Sequence, residues 1–169
     1  MTSARTEFGL TRTSCSCAGC VLNCQFMPGF LVPSDLGRMI PPGADPLVWA
    51  ETNLLASPGA VAWHNGKAFR IPTLVPAVKP DGSCINLQDG LCTIHENAPF
   101  GCAFFDCQSP LGGASAALAA VHQEWHTEGS LYVRIWMHLA VKDKMQQPAE
   151  KLRERMRQKW LSVTSVIKK

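Results

Sequence analysis

Apolar residues fall in two regimes along this 169-residue chain. Up to Pro110 they come in short runs cut by Gly, Pro, Asn and Asp; beyond it they recur at helical spacing. In the first regime Phe30-Leu31-Val32 predicts a short strand, and Ser34 then caps a helix that buries Leu36, Met39 and Ile40 before Pro41-Pro42 stops it. Asp45-Pro46 opens a second helix, Leu47 to Ala56, with Asp as N-cap and Pro at the first position. Ser57-Pro58-Gly59 closes that helix. Asn65-Gly66 then joins the apolar runs Val61-Ala62-Trp63 and Ala68-Phe69-Arg70-Ile71 into a hairpin, because a type I′ turn needs positive φ at both central residues. Pro72 to Pro80 is extended, and Asp81-Gly82-Ser83 turns the chain into a second hairpin reversed at Gln88-Asp89-Gly90.

Past Pro110, Gly113 to His126 places Leu118, Val121, His122 and Trp125 on one helical stripe. Gly129-Ser130 breaks that helix, and Leu131 to Val141 forms the next. A last helix begins near Pro148 and aligns Leu152, Met156, Trp160 and Val163. Residues 1–13 are polar and without period, a flexible arm. The expected fold class is therefore α+β: a small metal-centred cysteine-cluster domain over residues 14–110, with short β-hairpins and helices, and a C-terminal helical extension over 111–169 packed on it.

The metal enters through the cysteines. All eight fall in two groups of four: Cys15, Cys17, Cys20 and Cys24 within ten residues, then Cys84, Cys92, Cys102 and Cys107. No apolar h-region follows Met1 to Glu7, and no apolar run approaches the roughly 18 residues needed to cross a bilayer, which points to a cytoplasmic protein with no membrane contact. A reducing compartment keeps thiols free, where clustered cysteines bind metal in preference to forming one of about 105 disulfide pairings. Thiolate is a soft ligand that selects zinc, copper(I) or iron–sulfur clusters. Cys17 to Cys24 follows the later part of a ferredoxin-like run, with Gln25 in place of its Pro, while Cys15 stands one residue too close to complete it. Four thiols so closely spaced predict a tight loop around metal rather than a continuous helix or strand.

Other chemistry is thinner. His122-Gln123-Glu124-Trp125-His126 misses both helical zinc-protease patterns by one position. His95, three residues after Cys92, is placed to hydrogen-bond a metal-bound sulfur, and Asp106, beside Cys107, to sit near the metal or cap a turn. Net charge is +3 but uneven: residues 142–169 carry nine Lys/Arg against three Asp/Glu. That basic tail offers a contact for nucleic acid or another acidic partner, or is simply a solvated helix face.

The second group sits in a longer pattern. Asp81-Gly82-Ser83-Cys84-Ile85-Asn86-Leu87, Gly90-Leu91-Cys92-Thr93-Ile94-His95-Glu96-Asn97-Ala98-Pro99 and Cys102 resemble the DGxCxxL, GxCxIYExRP and following Cys of the YkgJ-like zinc- or iron-chelating cysteine-cluster family. The resemblance covers roughly Cys15 to Cys107 and implies metal binding rather than a particular reaction. Here the knot is C-x-C-x2-C-x3-C instead of the family's C-x2-C-x2-C-C, His95 and Ala98 replace its Tyr and Arg, and Cys107 is an additional thiol. The leading expectation is an iron–sulfur protein for electron transfer or redox sensing, with a redox or protein partner. The alternative is a zinc protein whose basic C-terminal helix binds a partner, and a third reading is an enzyme using the cluster as cofactor.

Overall fold

The computed structural model describes residues 2–5, 10–13, 18–26, 28–64, 67–104, 114–142 and 144–146. Expectations placed on Cys15, Cys17, Asp106, Cys107 and the helix after Pro148 lie outside the described residues. What is described is an α+β arrangement of helices and three two-stranded antiparallel pairs.

The first pair is β1 (Thr2–Arg5) with β2 (Leu10–Thr13), Thr2 opposite Thr13. Residues expected as a flexible arm thus carry a hairpin, to which the β-branched Thr2, Thr11 and Thr13 are suited. Helix α1 (Ala18–Phe26) follows, and it corrects the expected loop at the cysteine knot. Four thiols cannot converge from one helix, but positions four apart share a face. Cys20 and Cys24 have that spacing, so the knot's second half is helical.

Helix α2 (Pro33–Met39) has its cap two residues before the expected Ser34. Val32 holds the cap position with Pro33 at the first helical residue, and the buried Asp35 carboxylate accepts the Val32 N–H at 2.8 Å. Glu124 occupies Ser34, accepting its hydroxyl at 2.7 Å. Helix α3 (Pro46–Asn53) starts as the sequence predicts, with Asp45 Oδ1 accepting the N–H groups of Leu47 and Val48 at 2.9 and 3.0 Å. It ends three residues early because Leu54 enters a strand. Strands β3 (Leu54–His64) and β4 (Lys67–Pro76) form the expected hairpin, His64 opposite Lys67, and extend it beyond the expected runs at both ends. Ser57-Pro58-Gly59, expected as a helix terminator, is instead where the register slips by one residue between Ser57 and Ala60. Proline has no N–H for a ladder, so a bulge is where a strand tolerates it.

Strands β5 (Leu87–Gln88) and β6 (Leu91–Cys92) make the second expected hairpin. Asp89 and Gly90 turn it with φ of 49° and 78°, the double left-handed geometry of a two-residue I′ loop. A 3-10 turn at His95–Asn97 and helix α4 (Phe100–Phe104) follow. Helix α5 (Ala114–Val141) is one continuous helix of 28 residues where two were expected. A single interior glycine costs a helix only about 1 kcal/mol, and Gly129 does not break this one.

The core joins α2, α3, β3, β4 and α5 through Leu31, Leu36, Ala50, Leu54, Leu74, Tyr132, Ile135 and Leu139. At its centre Leu31 N–H donates to Leu74 O at 2.8 Å, but the reciprocal bond of an antiparallel pair is relayed by a side chain. The Tyr132 hydroxyl accepts the Leu74 N–H at 2.6 Å and donates to Leu31 O at 2.7 Å. No helix among the described residues is long and apolar enough to cross a membrane.

Candidate metal centre

Four of the five described cysteines arrive from four separate segments: Cys24 on α1, Cys84 in the bridge to Val78, Cys92 on β6 and Cys102 on α4. Three short backbone contacts bring the segments together. Cys84 N–H donates to Cys24 O at 2.7 Å, which ties the end of α1 to the strand entering the second hairpin. Cys92 pairs with Leu87, and Leu87 N–H in turn donates to Cys84 O at 3.0 Å. Gly101 N–H donates to Phe30 O at 2.9 Å, docking α4 on the segment that follows α1.

That last contact depends on two glycines. A Cβ at Gly29 would lie 2.1 Å from Cys102 N, and one at Gly101 would lie 2.4 Å from Phe30 N. The two backbones therefore run against each other with no room for a side chain between them. Phe30 and Phe100 flank the crossing with ring centroids 5.5 Å apart. The buried Asp35 closes it from α2, accepting the Phe100 N–H at 2.9 Å, so one carboxylate organises the starts of both α2 and α4.

Electrostatics tie the four thiols into one group. Burial is the main influence on Cys84 and pushes its thiol up to about 12, with the charges of Cys24 and Cys92 adding to the rise. Burial likewise pushes Cys102 up, followed by Cys24 and Cys84 and then Cys92. Cys102 keeps some exposed surface as a residue, but its sulfur is drawn away from water. A thiolate at Cys24 or Cys92 would thus disfavour a second one at Cys84 or Cys102. Opposing this, the backbone N–H of Asn86 donates toward the Cys84 sulfur and that of Gly29 toward the Cys102 sulfur. Lys79 also favours the Cys84 thiolate, and its ammonium is tethered to the Leu87 carbonyl.

This arrangement suits a soft cation. Amide N–H groups aimed at sulfur favour thiolate, and a cation at the centre would turn mutual repulsion into shared attraction. All four cysteines are free thiols, with no disulfide among them. Among the described residues, no group of three or more His, Cys, Asp or Glu side chains already forms a metal-binding set. A metal would therefore have to draw the thiols inward and displace their protons.

Of the sequence-predicted ligands, Cys24, Cys84, Cys92 and Cys102 are thus brought into one neighbourhood. Cys20 lies one helical turn before Cys24. His95 opens the 3-10 turn after β6 and is half-buried. Sequence reasoning missed the N–H donors of Gly29 and Asn86. Pro28-Gly29 reads only as a turn. No protein-family model matches this chain, and no curated protein or solved structure matches it. The resemblance to the cysteine-cluster family rests on the motif residues themselves.

Proposed function

We propose that this protein holds a thiolate-bound metal centre, an iron–sulfur cluster serving electron transfer or redox sensing. The observation that supports the reading is the approach of the segments that carry Cys24, Cys84, Cys92 and Cys102 through backbone contacts, Cys84 N–H to Cys24 O, Leu87 N–H to Cys84 O with Cys92 paired to Leu87, and Gly101 N–H to Phe30 O. Cys24, Cys84, Cys92 and Cys102 would supply ligands, with Cys15, Cys17, Cys20 and Cys107 completing the pool. When bound, an iron–sulfur cluster supplies one-electron exchange. The chain's own residues hold the thiols together, keep water from Cys84 and Cys102, and tune the sulfurs through the Gly29 and Asn86 N–H groups and the Lys79 charge.

Zinc is the second reading, favoured by the number four: four converging thiols suffice to close a structural tetrahedron. In that reading the basic segment 142–169 is the contact for an acidic protein or nucleic-acid partner.

Anaerobic purification separates the two. An iron–sulfur centre gives brown protein whose broad visible absorbance bleaches on reduction, with iron and acid-labile sulfide in stoichiometric yield. Colourless protein with stoichiometric zinc would overturn the leading reading. Cys92→Ser and Cys102→Ser are each expected to lose the metal, and full loading in either variant removes that thiol from the ligand set.

A further inference from the structure

Helices α2 and α3 and the segment 86–97 line a cleft of about 190 Å³. We propose that this cleft binds a neutral planar heterocycle whose edge carries a hydrogen-bond donor beside an acceptor, the chemistry of an adenine base. Neither the thiols nor a metal takes part.

The polar part of the wall selects the edge. Arg38 belongs to the wall, but its Nη2 already donates to Glu96 O at 3.0 Å, and no carboxylate lines the cleft. The wall therefore offers no uncommitted charge to either an anion or a cation. Its other polar side-chain groups are the carboxamides of Asn53, Asn86 and Asn97, each joining donor and acceptor in one planar group. Asn53 donates one N–H to Trp49 O at 2.9 Å and keeps its oxygen and second N–H for a ligand. Among the described residues, no group bonds the carboxamides of Asn86 and Asn97. Both stand on fixed backbone: Asn86 O accepts the Thr93 N–H at 2.9 Å and the Thr93 hydroxyl at 3.2 Å, and Asn97 N–H donates to Ile94 O at 2.9 Å. Carboxamides on a backbone already ordered lose little freedom on meeting a ligand. Such a group pairs through two bonds with a donor–acceptor edge, as asparagine does with N6 and N7 of adenine.

The apolar part selects the body. Trp49 and Met39 pack against the buried core, which holds the surfaces they lend to the cleft, and Ile94 adds a third apolar side chain. An indole and a thioether both gain from contact with an aromatic ring, which favours a planar heterocycle over a polyol. The volume falls below the roughly 300–1,000 Å³ of drug-sized sites, so a single ring system fits the site better than a larger ligand.

The test uses the full-length chain with adenosine as probe, followed by ligand-observed NMR. Purine riboside lacks only the N6 amino group, and an oligoadenylate single strand carries the same base on a phosphate backbone. Saturable adenosine binding is expected, with purine riboside at least about tenfold weaker because one half of the bidentate contact is gone. The double variant Asn86→Ala/Asn97→Ala is expected to weaken adenosine by about tenfold or more, and Trp49→Leu by a similar factor through lost stacking. Asn97 is exposed and Asn86 half-buried, so the double variant decides the matter if Trp49→Leu does not fold. Absence of saturation, equal binding of purine riboside, or unchanged affinity in the folded double variant would overturn the proposal. So would binding of the oligoadenylate without binding of adenosine, since the contact would then be to phosphate. Titration of metal-free and metal-loaded protein separates a failed cleft from a failed metal reading, because adenosine binding is expected in both.

Discussion

The crossing of Gly29-Phe30 with Gly101-Cys102 can be tested by one methyl group. In Gly29→Ala the new Cβ would stand 2.1 Å from Cys102 N and 2.2 Å from Gly101 C, both backbone atoms, where real Cβ atoms essentially never come within 3.0 Å. No side-chain rotation relieves a clash with backbone, so the two segments must part by more than about 1 Å. Metal–ligand distances tolerate about 0.2 Å, so a displacement of that size removes Cys102 from any shared centre. It also breaks the donation from the Gly29 N–H to the Cys102 sulfur. The cost in stability from overpacking alone is about 1–3 kcal/mol. Gly37→Ala is the internal control. Gly37 lies in α2 with nothing within 4 Å of its added Cβ, so alanine there should stabilise by about 0.5–1 kcal/mol through helix propensity. Urea unfolding and metal stoichiometry on the purified variants read both effects. Equal stability and loading in Gly29→Ala would show that the backbone crossing does not position Cys102.

Two further substitutions address the frame around the centre. Tyr132→Phe removes the hydroxyl that relays between Leu74 N–H and Leu31 O, and leaves two buried backbone groups without that partner. The expected loss is about 2–4 kcal/mol by denaturant unfolding, and a loss below about 0.5 kcal/mol would mean that the relay contributes nothing. On the surface, Glu51 Oε1 accepts from Lys142 Nζ and meets His138 Nε2, both at 2.7 Å. The Lys142 hydrogen bond, then that of His138, hold the Glu51 carboxyl below its ordinary value of 4.5. A carboxylate lowered by folding contributes stability above its unfolded value and loses that contribution as pH falls through the folded one. Glu51→Gln should therefore be the less stable protein near about pH 7, with the two stability curves converging only as pH falls below 4.5 and through the lowered folded value. Parallel curves across that range would remove the ion pairs from the account.

What could be read from the sequence was local chemistry. Asp45-Pro46 starts α3 because capping and a proline-fixed φ need no distant partner. Asn65-Gly66 and Asp89-Gly90 announce hairpins because few residues other than Gly, Asn and Asp accept positive φ. Two of the misreadings involve a distant partner. Ser34 looked like the cap of α2, but the nearby Asp35 carboxylate also takes the Phe100 N–H, 65 positions away, and the cap sits two residues earlier, at Val32. The residues after Asn53 looked helical until β4 supplied a strand to pair with. At the site, Cys84, Cys92 and Cys102 stood out by spacing, and Cys24 by its knot. The four-segment convergence of these thiols could not be read, because it depends on backbone contacts from Cys24 to Cys84 and from Phe30 to Gly101.

The position of the thiols relative to the core bears on which metal reading is stronger. The buried cluster around Leu31, Leu54, Tyr132 and Leu139 contains no cysteine, and it draws on α2, α3, β3, β4 and α5. Each fully buried Leu or Ile there contributes about 1.5–3 kcal/mol of gross burial free energy, so this part of the chain has its own reason to fold. The thiol side is built of shorter pieces, two-residue strands, a three-residue 3-10 turn and a five-residue helix, tied to the rest by the Asp35 bond to Phe100 N–H and the Gly101 bond to Phe30 O. A metal whose purpose was to fold the chain would be expected where the core is missing altogether, as in the smallest metal-dependent domains. Here it would order only one edge of a domain that already has a core. The same edge carries the N–H groups that tune the sulfurs. That division of labour, a self-sufficient core presenting a locally adjustable thiol centre, fits a metal retained for its chemistry better than one retained for structure.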